Sequence, residues 1–145
     1  MLEKEFERLY LKFRNNYCRN LFSNMKDEKD SLTPTEVYCA EIIFLLNRPT
    51  VHQFANYVNI SQPNATYRIS NLINKGYIKK VISTTDRREY YLEITEKYSK
   101  NYGLNSSFNI DLLKGIRESF TIEEVEMLER LMKKISDEVL IDVNL

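Results

Sequence analysis

At 145 residues, with 43% hydrophobic and 29% charged residues, the sequence is that of an ordinary globular chain able to bury a core, and disorder is excluded. Net charge is zero, which argues against a uniformly basic nucleic-acid binder. The longest apolar run, Ile42 to Leu46, falls far short of the ~18 residues of a membrane helix. No membrane association is therefore expected. The opening "MLEKEFERLY" lacks the apolar stretch of a signal peptide, so a cytoplasmic location is the expectation. Cys18 and Cys39 are too few for a disulfide framework and read as reduced thiols.

In chain order, a helix comes first. Phe6, Tyr10, Phe13, Tyr17 and Leu21 recur at three- and four-residue steps and form one apolar stripe. The segment "NMKDEKDS" reads as a polar loop. In "LTPTEV", Thr33 can cap a second helix, with Pro34 at its first position and Glu36 three residues after the cap. Leu32 and Val37 are placed as a hydrophobic staple. This helix runs through "YCAEIIFLLN" and must stop before Pro49.

A short helix then carries Val51, Phe54, Ala55 and Val58 on one face. "NIS" makes a tight turn, with Asn59 suited to left-handed backbone and Ser61 to an N-cap. The next helix, "QPNATYRISNLINK", buries Ala65, Ile69, Leu72 and Ile73, and Gly76 ends it. Two strands follow, "YIKKVIS" and "EYYLEI"; in the second, Tyr90, Leu92 and Ile94 point one way and Glu89, Tyr91 and Glu93 the other.

Thr95 is placed to cap a further helix from Glu96, interrupted near "YGLNSSFN", where Gly103 suits a helix interior poorly. "FTIEEV" repeats the capping logic with Thr121, Glu124 and the staple Phe120 and Val125. Val125, Leu128, Met132, Ile135 and Val139 then step in a heptad-like seam.

Helix, short helix, tight turn, helix and two-stranded hairpin make a winged helix-turn-helix, with "TTDRRE" at the wing tip. At 100° per residue, Pro63, Asn64, Tyr67, Ser70, Asn71 and Asn74 lie opposite the apolar stripe of the fourth helix, with Thr66 and Arg68 on its flanks. That face is amide and hydroxyl, and no acidic residue occurs between Ser61 and Gly76. Asparagine can pair bidentately with adenine and arginine with guanine or phosphate. The neutral total also hides an asymmetry. Between Arg48 and Tyr90 seven lysines and arginines face two acidic residues, and from Asp111 to Leu145 five face nine. A basic centre suits a polyanion. The expected DNA-facing set is Ser61, Gln62, Asn64, Thr66, Tyr67, Arg68, Ser70 and Asn71, joined by Arg87 and Arg88 of the wing.

The stretch from about Ser31 to Tyr102 resembles the MarR family of bacterial transcriptional regulators. The resemblance rests on "LTPTEV", on "VHQFANYVNISQPNATYRISNLINKGYI", and on "DRREYYLEITEK". The last matches the family's wing pattern through Asp86, Arg88, Leu92, Ile94 and Thr95. Ile94 replaces a leucine, and Tyr98 stands where the family usually has glycine, which leaves the start of the next helix open.

The resemblance implies a mainly α fold with a small two-stranded wing in a single domain, 1–145. Its winged helix-turn-helix core spans 32–95, and residues 1–22 and 96–145 supply dimerisation helices. Phe6, Tyr10, Phe13, Val125, Leu128, Met132, Ile135 and Val139 would form the homodimer interface. It also implies a repressor acting on a pseudo-palindromic double-stranded DNA operator, with Arg88 entering the minor groove, Asp86 orienting it, and Arg87 on phosphate. The alternatives are a winged-helix protein-interaction module and a DNA binder without an effector.

The resemblance also implies a small aromatic effector, for which Tyr10, Tyr17 and Tyr38 are candidate lining, although a stripe at helical spacing also suits a core. By the same resemblance Cys18 beside Tyr17 is either an oxidant-sensing thiol or a small packing residue. His52, the sole histidine, has no partners at metal-ligand spacing. With no nucleophile elbow, phosphate loop or metal set, neither catalysis nor a cofactor is expected.

Overall fold

The structure, a computed structural model, describes residues 1–24, 30–103 and 106–140. The polar loop read at 24–31 lies mostly outside them. The chain falls into two compact units, Met1–Ser106 and Ser107–Leu145, taken in turn.

The first unit is built by local signals that agree with one another. Helix α1 (Leu2–Asn24) buries only its C-terminal end, through Leu21 and part of Tyr17. Helix α2 (Pro34–Leu45) starts on a capping box: Thr33 Oγ1 accepts from Glu36 N at 3.3 Å, and Glu36 Oε2 accepts from Thr33 N at 2.8 Å. Such a cap is worth about 1 kcal/mol. The staple residues Leu32 and Val37 are both buried. Helix α3 (Val51–Val58) opens on a second box, Thr50 with Gln53, which "TVHQ" encodes and the sequence reading passed over.

Asn59 closes α3 in left-handed backbone, φ 53°, and Ser61 then caps helix α4 (Gln62–Asn74). Only one residue, Ile60, separates those two capping residues, so a single left-handed asparagine makes the elbow of the helix-turn-helix. Gly76, φ 81°, ends α4 in a conformation that side chains resist.

Strands β1 (Ile78–Ile82) and β2 (Tyr90–Ile94) pair antiparallel, with Ile78 opposite Ile94 and Ile82 opposite Tyr90. Leu92 is the strand residue of β2 that reaches full burial, while Tyr90 and Ile94 pack only partly against the core. The core itself gathers Val37, Ala40 and Ile43 of α2, Phe54 and Ala55 of α3, Ala65, Ile69 and Leu72 of α4, and Ile78 and Leu92 of the hairpin. Burying a side chain such as Phe54 stabilises the fold by roughly 1.5–3 kcal/mol.

Helix α5 (Glu96–Asn101) packs within the first unit. Its Tyr98 is wholly buried, and the Tyr98 hydroxyl donates to Glu41 of α2. The helix therefore belongs to the winged-helix core. Thr95 sits at the cap position, yet its hydroxyl donates to Gly76 O at 2.7 Å and leaves the helix N–H groups alone. Thr95 ties α5 to the end of α4 instead. Gly103 is required where it stands, since a Cβ there would come within 2.9 Å of the Ser99 backbone.

The second unit consists of α6 (Ser107–Ser119), α7 (Ile122–Lys134) and a π-helical turn, Ile135–Val139. The Thr121–Glu124 capping box forms as read. In the π turn Leu140 N bonds to Ile135 O, a five-residue step, so the last step of the seam, Ile135 to Val139, is wound more loosely than an α-helix. No residue of α6 or α7 is buried.

Candidate nucleic-acid interface

Helix α4 projects its polar side because Ala65, Ile69 and Leu72 are drawn into the core. Gln62, Asn64, Thr66 and Tyr67 are exposed, Tyr67 by 69%. Arg68, from the flank of the wheel, and Ser70 and Asn71, from its outward side, are half-buried. Neighbouring α2 stands beside Arg68 and Asn71. Asn64, Tyr67, Arg68 and Asn71 line a cleft of about 480 Å³ with Thr33, Thr35, Glu36 and Cys39. A wheel projection sees one helix and cannot register what stands beside it. Burial pushes the Cys39 thiol up, and the Arg68 guanidinium hydrogen-bonded to it pulls the other way. The open part of the α4 face is thus its first two turns, with Asn74 exposed again at the far end.

The wing tip is ordered by Ser83, which is buried and accepts from Thr85 N and Asp86 N, both at 3.3 Å. Asp86 in turn grips Arg88. Its Oδ1 accepts from Arg88 N at 2.9 Å and from Nε at 3.3 Å, and its Oδ2 accepts from Nη2 at 3.4 Å. The backbone N–H of Arg88 and then its guanidinium hold the Asp86 carboxyl below the usual carboxylate range. Arg88 remains 91% exposed along its side chain. The result is an arginine held at its base and presented to solvent.

The basic centre is less free than its composition suggests. Arg48 and Lys79 both pair with Glu93, at 2.7 and 3.3 Å, and Lys75 pairs with Glu36 at 2.7 Å. Both carboxylates lie outside the Arg48–Tyr90 stretch, so a tally along the chain misses them. Lys80 Nζ lies 4.4 Å from the Tyr90 ring centroid.

The tyrosines separate into two groups. Tyr17, Tyr38, Glu41 and Tyr98 meet where α1, α2 and α5 converge. Burial, then Glu41 and Tyr38, push the Tyr17 hydroxyl up to about 12. Tyr10 stands two turns from Tyr17 and stacks on Phe6, with ring centroids 6.0 Å apart, under Arg14. His52 bonds Asn56 on the exposed side of α3, and Cys18 is exposed. Among the described residues no group of His, Cys, Asp and Glu is arranged to hold a metal, and no helix is long and apolar enough to cross a membrane.

Three helices, a left-handed elbow and an arginine-tipped hairpin define a winged helix-turn-helix protein. A MarR-family model matches residues 32–90, from the staple residue before α2 to the first residue of β2. Over its winged helix-turn-helix core the chain is similar to the MarR family. It is 27% identical over 138 residues to the HTH-type transcriptional regulator MhqR of Bacillus subtilis, covering 93% of each chain. Among solved structures it is similar to Streptococcus pneumoniae FabT in complex with DNA, at TM-score 0.55 and 22% identity, over 94% of this chain and 95% of that one. It is also similar to a MepR mutant from a multidrug-resistant S. aureus clinical isolate, at TM-score 0.59 and 13% identity, over 97% and 98%. Those two likenesses establish the fold.

Proposed function

We propose that the protein is a sequence-specific DNA-binding transcriptional regulator, a cytoplasmic repressor that acts as a homodimer on a pseudo-palindromic operator. One observation carries the reading. The exposed first turns of α4 offer Gln62, Asn64, Thr66 and Tyr67 with no acidic side chain among them. A helix meeting only water has no reason to exclude Glu and Asp, whereas one entering the major groove has phosphates on both sides. Asn64 and Tyr67 read base edges, Ser61 and Arg87 meet phosphate, and Arg88, steadied by Asp86, enters the minor groove.

The regulator MhqR and the DNA-bound FabT support this reading. Release by a small aromatic effector, with Tyr10, Tyr17 and Tyr38 as its lining, is the further part of the proposal. The test is selection of bound duplexes from random DNA. An inverted repeat with half-sites about one helical turn apart is the expected product. No enrichment would leave the winged helix as a protein-interaction module.

A further inference from the structure

Two adjacent non-glycine residues, Asn47 and Arg48, adopt left-handed backbone, with φ 48° and 66°. Asparagine does so readily, but arginine seldom does, and such outliers persist where the surroundings enforce them. Here the left-handed pair swings the chain out of α2 and lays the next residues along the free edge of β2. Pro49 O accepts from Leu92 N at 2.9 Å, and Thr50 pairs with Tyr91.

The Arg48 side chain then returns over the same strand. Its Nε stands 2.7 Å from Glu93 Oε1, and its guanidinium carbon 5.5 Å from the Tyr91 ring centroid. The second oxygen of Glu93 takes Lys79 Nζ at 3.3 Å, and Lys79 is the register partner of Glu93 on β1. One carboxylate thus joins the α2–α3 turn to both strands of the wing.

Stability does not require this arrangement. Arg48 is 52% exposed along its side chain, and exposed ion pairs contribute little. What a planar guanidinium fixes, bonded at its edge and stacked on its face, is direction. We infer that Arg48 is a positioning residue for the wing, setting the angle at which Arg88 is presented to the duplex, and is not itself a phosphate contact. The inference rests on the DNA-binding reading and deepens it.

The experiment measures affinity for the selected operator with A·T-rich and with G·C-rich flanks. It compares wild type, Arg48→Asn, Glu93→Gln, Arg88→Ala and the Arg48→Asn/Arg88→Ala double variant, with each melting temperature as a folding control. Asparagine tolerates the left-handed backbone, so Arg48→Asn removes the side-chain clamp without adding strain. Arg48→Asn and Glu93→Gln should each weaken binding to A·T-rich flanks by about 3–10-fold and spare G·C-rich flanks. The double variant should bind within about 2-fold of Arg88→Ala alone, because residues acting through one another are not additive.

Three results would overturn the inference. Tighter binding by Glu93→Gln would mean Arg48 meets phosphate directly. Equal weakening on both flanks would mean it only supports the fold, and additivity with Arg88→Ala would separate it from the wing. If the wild type enriches no duplex at all, the DNA-binding reading fails and this inference fails with it. A selective failure of the Arg48 and Glu93 variants leaves that reading intact.

Discussion

The winged-helix residues and the C-terminal helices carry similar apolar patterns and treat them differently. In the former, Phe54, Leu72, Leu92 and Tyr98 have no exposure. In α6 and α7 nothing is buried, and Ile110, Leu113, Met127, Leu131 and Met132 stay about half exposed or more. A periodic stripe declares that a helix needs a partner, and does not say whether the same chain supplies it. The N-terminal half of α1 shares this condition through Leu2, Phe6, Leu9 and Phe13. Units of about 40 residues or fewer seldom hold a core alone, so a second copy of the chain is the occupant that the homodimer reading assigns to these faces.

Four substitutions and a fall in pH press on that contrast. Phe54→Ala should have the largest effect, about 3–5 kcal/mol lost in chemical denaturation, because α2, α3 and α4 cannot collapse into the space. Leu128→Asp should instead leave the winged-helix core folded and split the dimer. An unpaired carboxylate in an apolar interface costs roughly 3 kcal/mol, so sedimentation should show dissociation at about 100-fold higher concentration than wild type. A fully dimeric Leu128→Asp would end the assignment of α7 to the interface.

Acidification should act on the core more gently. Burial raises the Glu36 carboxyl, but its bonds from Lys75 and Thr33 outweigh that and lower it overall. A lowered folded value contributes stability above the unfolded carboxylate range, and that stability is lost as pH falls through the folded value. The melting temperature should therefore drop below the ordinary glutamate range, and Glu36→Gln should flatten part of that drop. The smallest structural effect belongs to Asp86→Ala, which should leave the melting temperature unchanged while weakening operator binding. If it tightens binding, Asp86 repels phosphate and does not steady Arg88.

Much of this architecture was legible because its signals are local. Thr33 and Thr121 announce capping boxes and Asn59 and Ser61 an elbow, while the pairing of Asp86 with Arg88 comes from the resemblance to the family's wing pattern. The missing parts depend on residues far apart in the chain. Thr95 has the right type and place for a cap, yet its hydroxyl goes to Gly76, which no local pattern foretells. Tyr98 reads as one tyrosine among ten until Glu41 is found beside it. The helical wheel puts Asn71 on the outward side and Arg68 on its flank, and it has no means to register α2 standing beside both. Arginine has no propensity for left-handed backbone, so Arg48 could not be placed from its type. The π turn at Ile135 likewise leaves an unchanged three-four pattern in the sequence.

The internal pairing of the basic centre carries over to its ionic-strength dependence. Each lysine or arginine that neutralises a DNA phosphate frees a condensed counterion, and the slope of log K against log[salt] is about −0.9 per phosphate so neutralised. Of the seven cations between Arg48 and Tyr90, Arg48, Lys75, Lys79 and Arg88 already face carboxylates within the protein. Those four enter the complex with their charge partly spent. Lys80, Arg87 and Arg68 keep theirs, so binding by this protein should resist added salt better than its count of lysines and arginines implies.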